Sequence, residues 1–156
     1  MPITQLVEFL DREKVRYVTI NHSKAYTAQE IAAAAHVPGK ELAKPVMVKV
    51  DGEMVMAVVP ASHQIDLQAL AEVAGAESAE LATEEEFETL FPDSELGAMP
   101  PFGNLYDLPV FVDRTLEEDE EIAFSAGSHT QLVRLRYDDY KRLVSPRLGS
   151  FGRKEP

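Results

Sequence analysis

The stretch "PVMVKVDGEMVMAVV", residues 45–59, constrains the fold more than any other part of the chain. Two runs rich in valine and methionine flank Asp51-Gly52, a dipeptide suited to a two-residue hairpin because both central positions need positive φ. The first arm alternates, with Val46, Val48 and Val50 on one face and Met47 and Lys49 on the other. A chain containing this hairpin must build a sheet and must cover it with the segments that remain.

Those segments divide readily. "ITQLVEFLDRE" carries Ile3, Leu6, Val7 and Leu10 on a helical stripe, and "RYVTI" reads as a strand. "TAQEIAAAAHV" opens on Thr27 with Glu30 three residues later, the spacing of a capping box. "DLQALAEVAG" predicts a helix between an Asp66 cap and a Gly75 stop, and "TEEEFETLF" another, capped by Thr83. "LPVFVD", "EIAFSA" and "TQLVRLRY" read as strands, "DDYKRLV" as a last helix, and "SPRLGSFGRKEP" as a loose basic tail. The order has no regular βαβ rhythm. The expected architecture is α+β: a mixed, strongly curved, barrel-like sheet surrounded by helices, in one domain over 1–146 with a tail at 147–156.

Composition excludes several kinds of chemistry. The chain has no cysteine, so disulfides, thiolate metal sites and cysteine nucleophiles are ruled out. Its 156 residues contain no apolar run near the ~18 of a membrane span. "MPITQLVEFLDREK" lacks the basic-then-apolar layout of a secretory leader, so a cytoplasmic protein is expected. No two histidines show metal-ligand spacing, and neither a P-loop nor a dinucleotide fingerprint is present; no metal and no cofactor are expected. The net charge of −12 speaks against long stretches of nucleic acid. The charge is uneven, however: 16 acids and one base from Glu72 to Glu121, then seven bases and three acids from Arg134 to Pro156. An ordinary solvated surface with a basic tail fits this pattern, and so does a local patch that faces one end of a nucleic acid.

Three stretches hold candidate functional residues. Lys44 precedes the hairpin arm and shares the phase of Val46 and Val48. It either snorkels from the sheet rim or sets a positive charge at a pocket mouth, beside a phosphate or a carbonyl oxygen that gains charge. "GAMPPFG", Gly97 to Gly103, stiffens the chain with Pro100 and Pro101 between two glycines. It is either a rigid turn or a pocket wall formed by Gly97, Pro101 and Phe102, where Gly103 offers its amide to a ligand. "SAGSHT" places Gly127 in a turn with Ser128 and His129 at its tip. Adjacent residues point apart on an extended chain, so a binding role for His129 fits better than a Ser128–His129 nucleophile pair. His22 follows the first strand and is a further candidate for lining a site; His36 closes a helix and His63 sits in a polar turn.

Taken together and in order, "ELAKPVMVKVDGEMVMAVVPASHQIDLQAL", "GAMPPFGNLYDLPVFVD" and "FSAGSHTQLVRLRYDDYKRLV" resemble the YbaK/ProX family of aminoacyl-tRNA deacylases, also called the aminoacyl-tRNA synthetase-associated domain. The resemblance runs from about Val18 to Val144. It implies a trans-editing hydrolase that cleaves the ester between a wrong amino acid and the 3′-terminal adenosine of a tRNA. It matches Lys44 to the family lysine, Gly103 to the closing glycine of the family's glycine-rich stretch, and His129 to a histidine found in some members. On that basis Lys44, Gly103 and His129 are expected to be catalytic, and Gly97, Pro101, Phe102, Gly127, Ser128 and His22 to bind substrate. The implied partners are the 3′ end of aminoacyl-tRNA and an aminoacyl-tRNA synthetase, with no membrane and no DNA. The family often has threonine or asparagine after its lysine; this chain has Pro45. A non-catalytic module that binds a tRNA end, a nucleotide or a synthetase is the alternative within the same fold, and a hydrolase of small esters or amides is a third reading.

Overall fold

The structure, a computed structural model, describes residues 3–154. Its helices start and stop where local chemistry says they should. Helix α1 (Thr4–Arg12) buries Leu6 and Leu10. In α2 (Ala28–Ala35) the Thr27 side chain accepts from the Glu30 amide while Glu30 reaches back, and His36 ends the helix in the left-handed region. Helix α3 (Leu67–Ala74) runs between the Asp66 cap and Gly75 at φ +69°. Thr83 and Glu86 cap α4 (Glu84–Phe87), which covers only part of the expected helix; Glu88–Leu90 tighten into a 3₁₀ turn. Helix α5 is Tyr137–Val144.

The strands are β1 (Tyr17–Asn21), β2 (Ala43–Val50), β3 (Glu53–Pro60), β4 (His63–Ile65), β5 (Ala79–Leu81), β6 (Val110–Asp113), β7 (Glu121–Ser125), β8 (Gln131–Arg136), β9 (Arg147–Gly149) and β10 (Gly152–Lys154). The β2–β3 hairpin turns at Asp51 (φ +49°) and Gly52 (φ +84°), both left-handed as its sequence requires. The expected barrel-like sheet is corrected: the described strands form three sheets, none closed. They are an antiparallel β1-β8-β7 sheet, a β10-β4 pair, and a mixed β5-β2-β3-β6-β9 sheet in which β3, β6 and β9 run parallel.

Both faces of the hairpin are covered, which is why its alternation does not separate an inside from an outside. Met47, Met56 and Val58 pack with Phe102, Phe124 and Tyr140; Val48, Val55, Ala57 and Val59 pack with Leu70, Phe111 and Phe151. Lys49, placed among them, keeps its ammonium at the surface against Glu80 and Glu86.

The outward edge of β2 is shared between two neighbours. Leu42 bridges to Ala123 of β7, while Val48, Lys49 and Val50 pair with β5. Backbone direction alternates along the strand: the Leu42 carbonyl accepts from Ala61 on the β3 side, and the Met47 carbonyl accepts from Ala82 on the other. By that alternation the backbone of residue 45 faces the outward edge, where its lack of an N–H leaves the β3 ladder intact. The two sheets diverge at this point.

The segment expected as a loose tail is integral to the body. Phe151 is fully buried, β9 extends the mixed sheet and β10 pairs with β4. Asp113 holds it there. Its Oδ1 accepts from the amides of Phe151 (2.9 Å) and Gly152 (2.7 Å), and its Oδ2 accepts from the amide and hydroxyl of Thr115. Burial alone would raise the Asp113 pKa, but these hydrogen bonds together outweigh it and leave the group below its ordinary value. The stabilisation is therefore complete above the ordinary aspartate range and is lost as pH falls through the depressed value. Asp113→Ala should cost on the order of 2–4 kcal/mol in denaturant unfolding, since it strands two or more donors. Amide exchange at Phe151 and Gly152 should accelerate more than exchange in β1; equal protection in wild type and variant would refute the anchor.

Candidate active site

A cavity of about 340 Å³ opens where the two sheets part. The first part of β2, from Ala43 through Lys44, Pro45 and Val46 to Met47, forms its floor. Leu81 and Ala82 close one end and Ser125 of β7 the other; Gly97 and Met99 form a wall, and Tyr26 and Ile31 lie on the α2 side. The lining is mostly apolar, with Lys44, Ser125, Glu84 and the Tyr26 hydroxyl as its polar side-chain groups. A concave apolar chamber with few convergent polar groups is the usual form of a small-ligand site.

Lys44 is half-buried. Its Nζ donates to the carbonyl oxygen of His63 at 2.8 Å, beyond the turn that follows β3. The hairpin register explains the contact, because Lys44 lies opposite Val59 and places its side chain beside the chain that continues through Pro60 and Ala61. The ammonium is thus anchored to a backbone carbonyl. His63 is also held by its neighbour, with Ser62 Oγ 2.9 Å from Nδ1.

The glycine-proline stretch splits into two parts with different jobs. Gly97, at φ +84°, lies on the cavity wall, and a Cβ there would meet only His129 Cε1 at 3.7 Å. Its conformation, not a lack of space, calls for glycine. Pro101, Phe102 and Gly103 are buried in the interior and do not line the cavity. The Pro101 carbonyl accepts from the buried Tyr140 hydroxyl at 2.7 Å, and Phe102 packs edge-on against Phe124 and Tyr140. A Cβ on Gly103 would lie 2.7 Å from Val110 Cγ2 and 3.1 Å from the Leu108 carbonyl. Packing accounts for that glycine.

The "SAGSHT" turn stands behind the wall. Gly127, at φ +107°, donates to the Ala98 carbonyl (2.8 Å) and accepts from Glu95, and a Cβ there would strike Ile3. His129 is 6% exposed; its Nε2 meets the Leu96 carbonyl at 2.9 Å, so in the neutral ring the proton sits on Nε2. Nδ1 is buried without a partner, and Glu95 Oε2 lies 3.9 Å from Nε2. The ring supports Gly97 and stacks obliquely on Tyr26, with centroids 4.9 Å apart. Ser128 bonds with Thr130, and the His22 amide donates to the Thr130 carbonyl, fastening β1 to this turn. Neither Ser128 nor His22 lines the cavity. The structure therefore brings Lys44 and Gly97 to one chamber, sets His129 and Gly127 directly behind it, and puts Gly103, Pro101 and Phe102 in the core.

Sequence reasoning missed Tyr26 and Ser125. Tyr26 stands 62% exposed at the cavity, with Lys24 Nζ 5.6 Å from its ring centre. An isolated tyrosine before a helix cap carries no pattern of its own. Ser125 ends a strand whose phase with Ala123 would have placed both on one face. Among the described residues no group of three or more potential metal ligands gathers, and no helix is long and apolar enough to cross a membrane.

Solved structures share this architecture. One of a hypothetical protein superposes with a TM-score of 0.85 at 18% identity, covering 96% of this chain and 99% of the other. One described as a candidate trans-editing enzyme for prolyl tRNA synthetase gives 0.79 at 21% identity, covering 97% and 96%. These likenesses define the fold. The family model for the aminoacyl-tRNA editing domain matches residues 22–143, and the chain belongs to that family. It is 33% identical over 157 aligned positions to the multifunctional Ser/Thr-tRNA deacylase ProXp-y of Escherichia coli K12, covering 96% of this chain and 92% of that one. It is also 32% identical over 105 positions to the proline–tRNA ligase of Staphylococcus saprophyticus, of which the match spans 18%.

The two halves of the glycine-proline stretch should respond differently to mutation. Gly103→Val should destabilise the fold by several kcal/mol through overpacking. Gly97→Ala should cost about 1–2 kcal/mol from backbone conformation alone, and Gly97→Asn less. Equal melting temperatures for Gly103→Val and wild type would overturn this division.

Proposed function

We propose that the chamber at the β2 edge is where this aminoacyl-tRNA deacylase receives and hydrolyses the aminoacyl end of a mischarged tRNA. One observation carries the reading: Lys44, on the residue matched to the family lysine, lines a concave chamber beside bare backbone at Gly97. Water adds to the ester carbonyl carbon, the carbonyl oxygen becomes an oxyanion, and the bond to the ribose oxygen then breaks. The ribose oxygen takes a proton as it leaves, giving a free amino acid and a tRNA with its terminal hydroxyl restored.

The ester is already activated, so the protein needs chiefly to bind and orient it and to stabilise charge. Lys44, steadied by the His63 carbonyl, meets the negative charge that the substrate brings, as the terminal phosphate or as the ester oxygen on its way to an oxyanion. A well-placed donor of this kind is worth about 3 kcal/mol. Glu84 is the acid in the lining and suits the substrate's α-ammonium group. Tyr26 offers an exposed ring at the mouth, the kind of surface on which an unpaired base stacks. The neighbouring ribose hydroxyl of the substrate is the base we assign to water, because among the described residues no carboxylate–histidine pair lines the chamber. His129 acts as a positioning residue, through Gly97 and Tyr26. The limited volume admits small side chains and rejects large ones by collision. The E. coli relative's name makes seryl- and threonyl-tRNA the first substrates to try.

The test is deacylation of a panel of mischarged tRNAs by wild type and Lys44→Ala. Wild type should release amino acid from at least one of them. Lys44→Ala should lose a factor of about 100 or more in kcat, in line with removal of one charge-stabilising donor, while its melting temperature stays within a few degrees. Unchanged turnover in Lys44→Ala would remove that residue from the mechanism. Failure of wild type on every tRNA, with tRNA ends still bound, would leave the non-catalytic binding module.

A further inference from the structure

A chain of net charge −12 that handles tRNA must counter repulsion somewhere. The basic C-terminal residues do little of this, because most of them face acids or backbone. Lys141 meets Glu117, Arg142 meets Asp139, Arg153 meets Asp66, and Arg147 donates to the Val73 carbonyl. Arg16 and Arg134 are different: among the described residues neither has a carboxylate within salt-bridge distance. They share a groove of about 550 Å³ with Arg136, Tyr17, Val18 and Glu121. Arg136 reaches only exposed acids, Glu120 at 4.0 Å and Asp138 at 3.5 Å.

The groove belongs to the outer face of the β1-β8-β7 sheet. Val18, Arg134 and Ala123 lie opposite one another across its strands, as do Arg136 and Glu121. Helix α2 covers the same face further along, packing Ile31 and Ala32 on Leu132 and Ala123. Beyond that cover, Ser125 shares the face and lines the chamber. Four residue steps along β7, from Glu121 to Ser125, therefore separate the arginine groove from the chamber, about 13 Å at strand rise.

We propose that this groove is the docking surface for the phosphate backbone of the tRNA acceptor arm, holding the nucleotides behind the ester while the aminoacyl end occupies the chamber. Charge complementarity selects the occupant: Arg16, Arg134 and Arg136 against Glu121 give the open sheet face an excess of positive charge, which a polyanion matches. The proposal rests on the function proposed above but is tested separately from it.

The experiment measures binding of uncharged tRNA by fluorescence anisotropy at several salt concentrations, alongside hydrolysis of a mischarged tRNA and of an aminoacylated trinucleotide too short to reach the groove. The variants are Arg16→Gln/Arg134→Gln, Arg134→Lys, and Arg153→Ala as a control. The double variant should bind tRNA about tenfold more weakly at low salt, with its salt slope reduced by about 2. Its KM for mischarged tRNA should rise while kcat and trinucleotide hydrolysis stay unchanged; Arg134→Lys should recover part of the loss and Arg153→Ala should match wild type. Unaltered tRNA affinity and slope in the double variant would overturn the groove while leaving the hydrolase intact. Slope-dependent binding through these arginines without any hydrolysis by wild type would sink the hydrolase and keep the groove. Failure of wild type to bind tRNA at all would refute both.

Discussion

The unshared part of one strand edge organises this molecule. A strand normally pairs along its length, and β2 does so on the β3 side over eight residues. On the other side it meets β7 at its start and β5 at its end. Pro45 sits between those two contacts, and the amide it lacks would have faced this edge. The hairpin thus belongs to the mixed sheet and touches the β1-β8-β7 sheet through the Leu42 bridge just before β2, and the chamber is the gap between the two sheets. Where the resemblance sets a hydrogen-bonding side chain and an N–H after the lysine, this protein has neither, so the floor at that point offers a carbonyl oxygen and ring carbons.

Rigid surroundings keep the gap open. Phe102, Phe124 and Tyr140 interlock edge-on beneath the wall, and the Tyr140 hydroxyl is satisfied by the Pro101 carbonyl rather than left unpaired in the core. Two turns then fix the wall from behind, through the Gly127 amide on Ala98 and the His129 ring on Leu96. The prolines therefore anchor the segment in the core, while Gly97 and Met99 present it to the cavity. On the opposite side, the Lys44 ammonium is held by a carbonyl whose chain is ordered by β4, itself paired with β10. The C-terminal strand and the central lysine are in this way parts of one construction, linked through His63.

Much of this was legible in the sequence, for identifiable reasons. The hairpin, the capped helices α2 and α3 and the three later strands carry local signals, turn dipeptides, caps and alternation, that do not depend on distant partners. Lys44 was legible because strand phase put it with Val46 and Val48, although both faces proved covered. The three-residue strands β4, β5, β9 and β10 were not legible, since each exists only because a partner lies alongside. The tail read as loose because Leu148 and Phe151 are sparse apolar residues among polar ones and glycines; the burial of Phe151 depends on Asp113, 38 positions earlier. Gly103 illustrates a different limit. Sequence shows that a glycine stands there, but only the position of Val110 tells whether a ligand or a neighbouring side chain needs the space. Closure was misread because mixed strand order fits both a barrel and split sheets, and the deciding residue, Pro45, has a backbone direction that no periodicity reveals.

Charge shows how one chain reconciles an acidic surface with a polyanionic substrate. Counting bases along the sequence placed the positive region at the C-terminal end, yet folding spends most of those cations on carboxylates close at hand. Cations left over on an ordered sheet face are worth more to a phosphate chain than a larger number already neutralised, because an occupied ion pair must be broken before it can be replaced. The acids elsewhere then have a use of their own. Repulsion over most of the surface discourages long contacts with RNA and leaves short, oriented approaches as the favourable ones. For a protein that must take hold of one end of a tRNA and release it after a single ester is cut, weak attraction confined to the path toward the chamber is the arrangement that electrostatics favours.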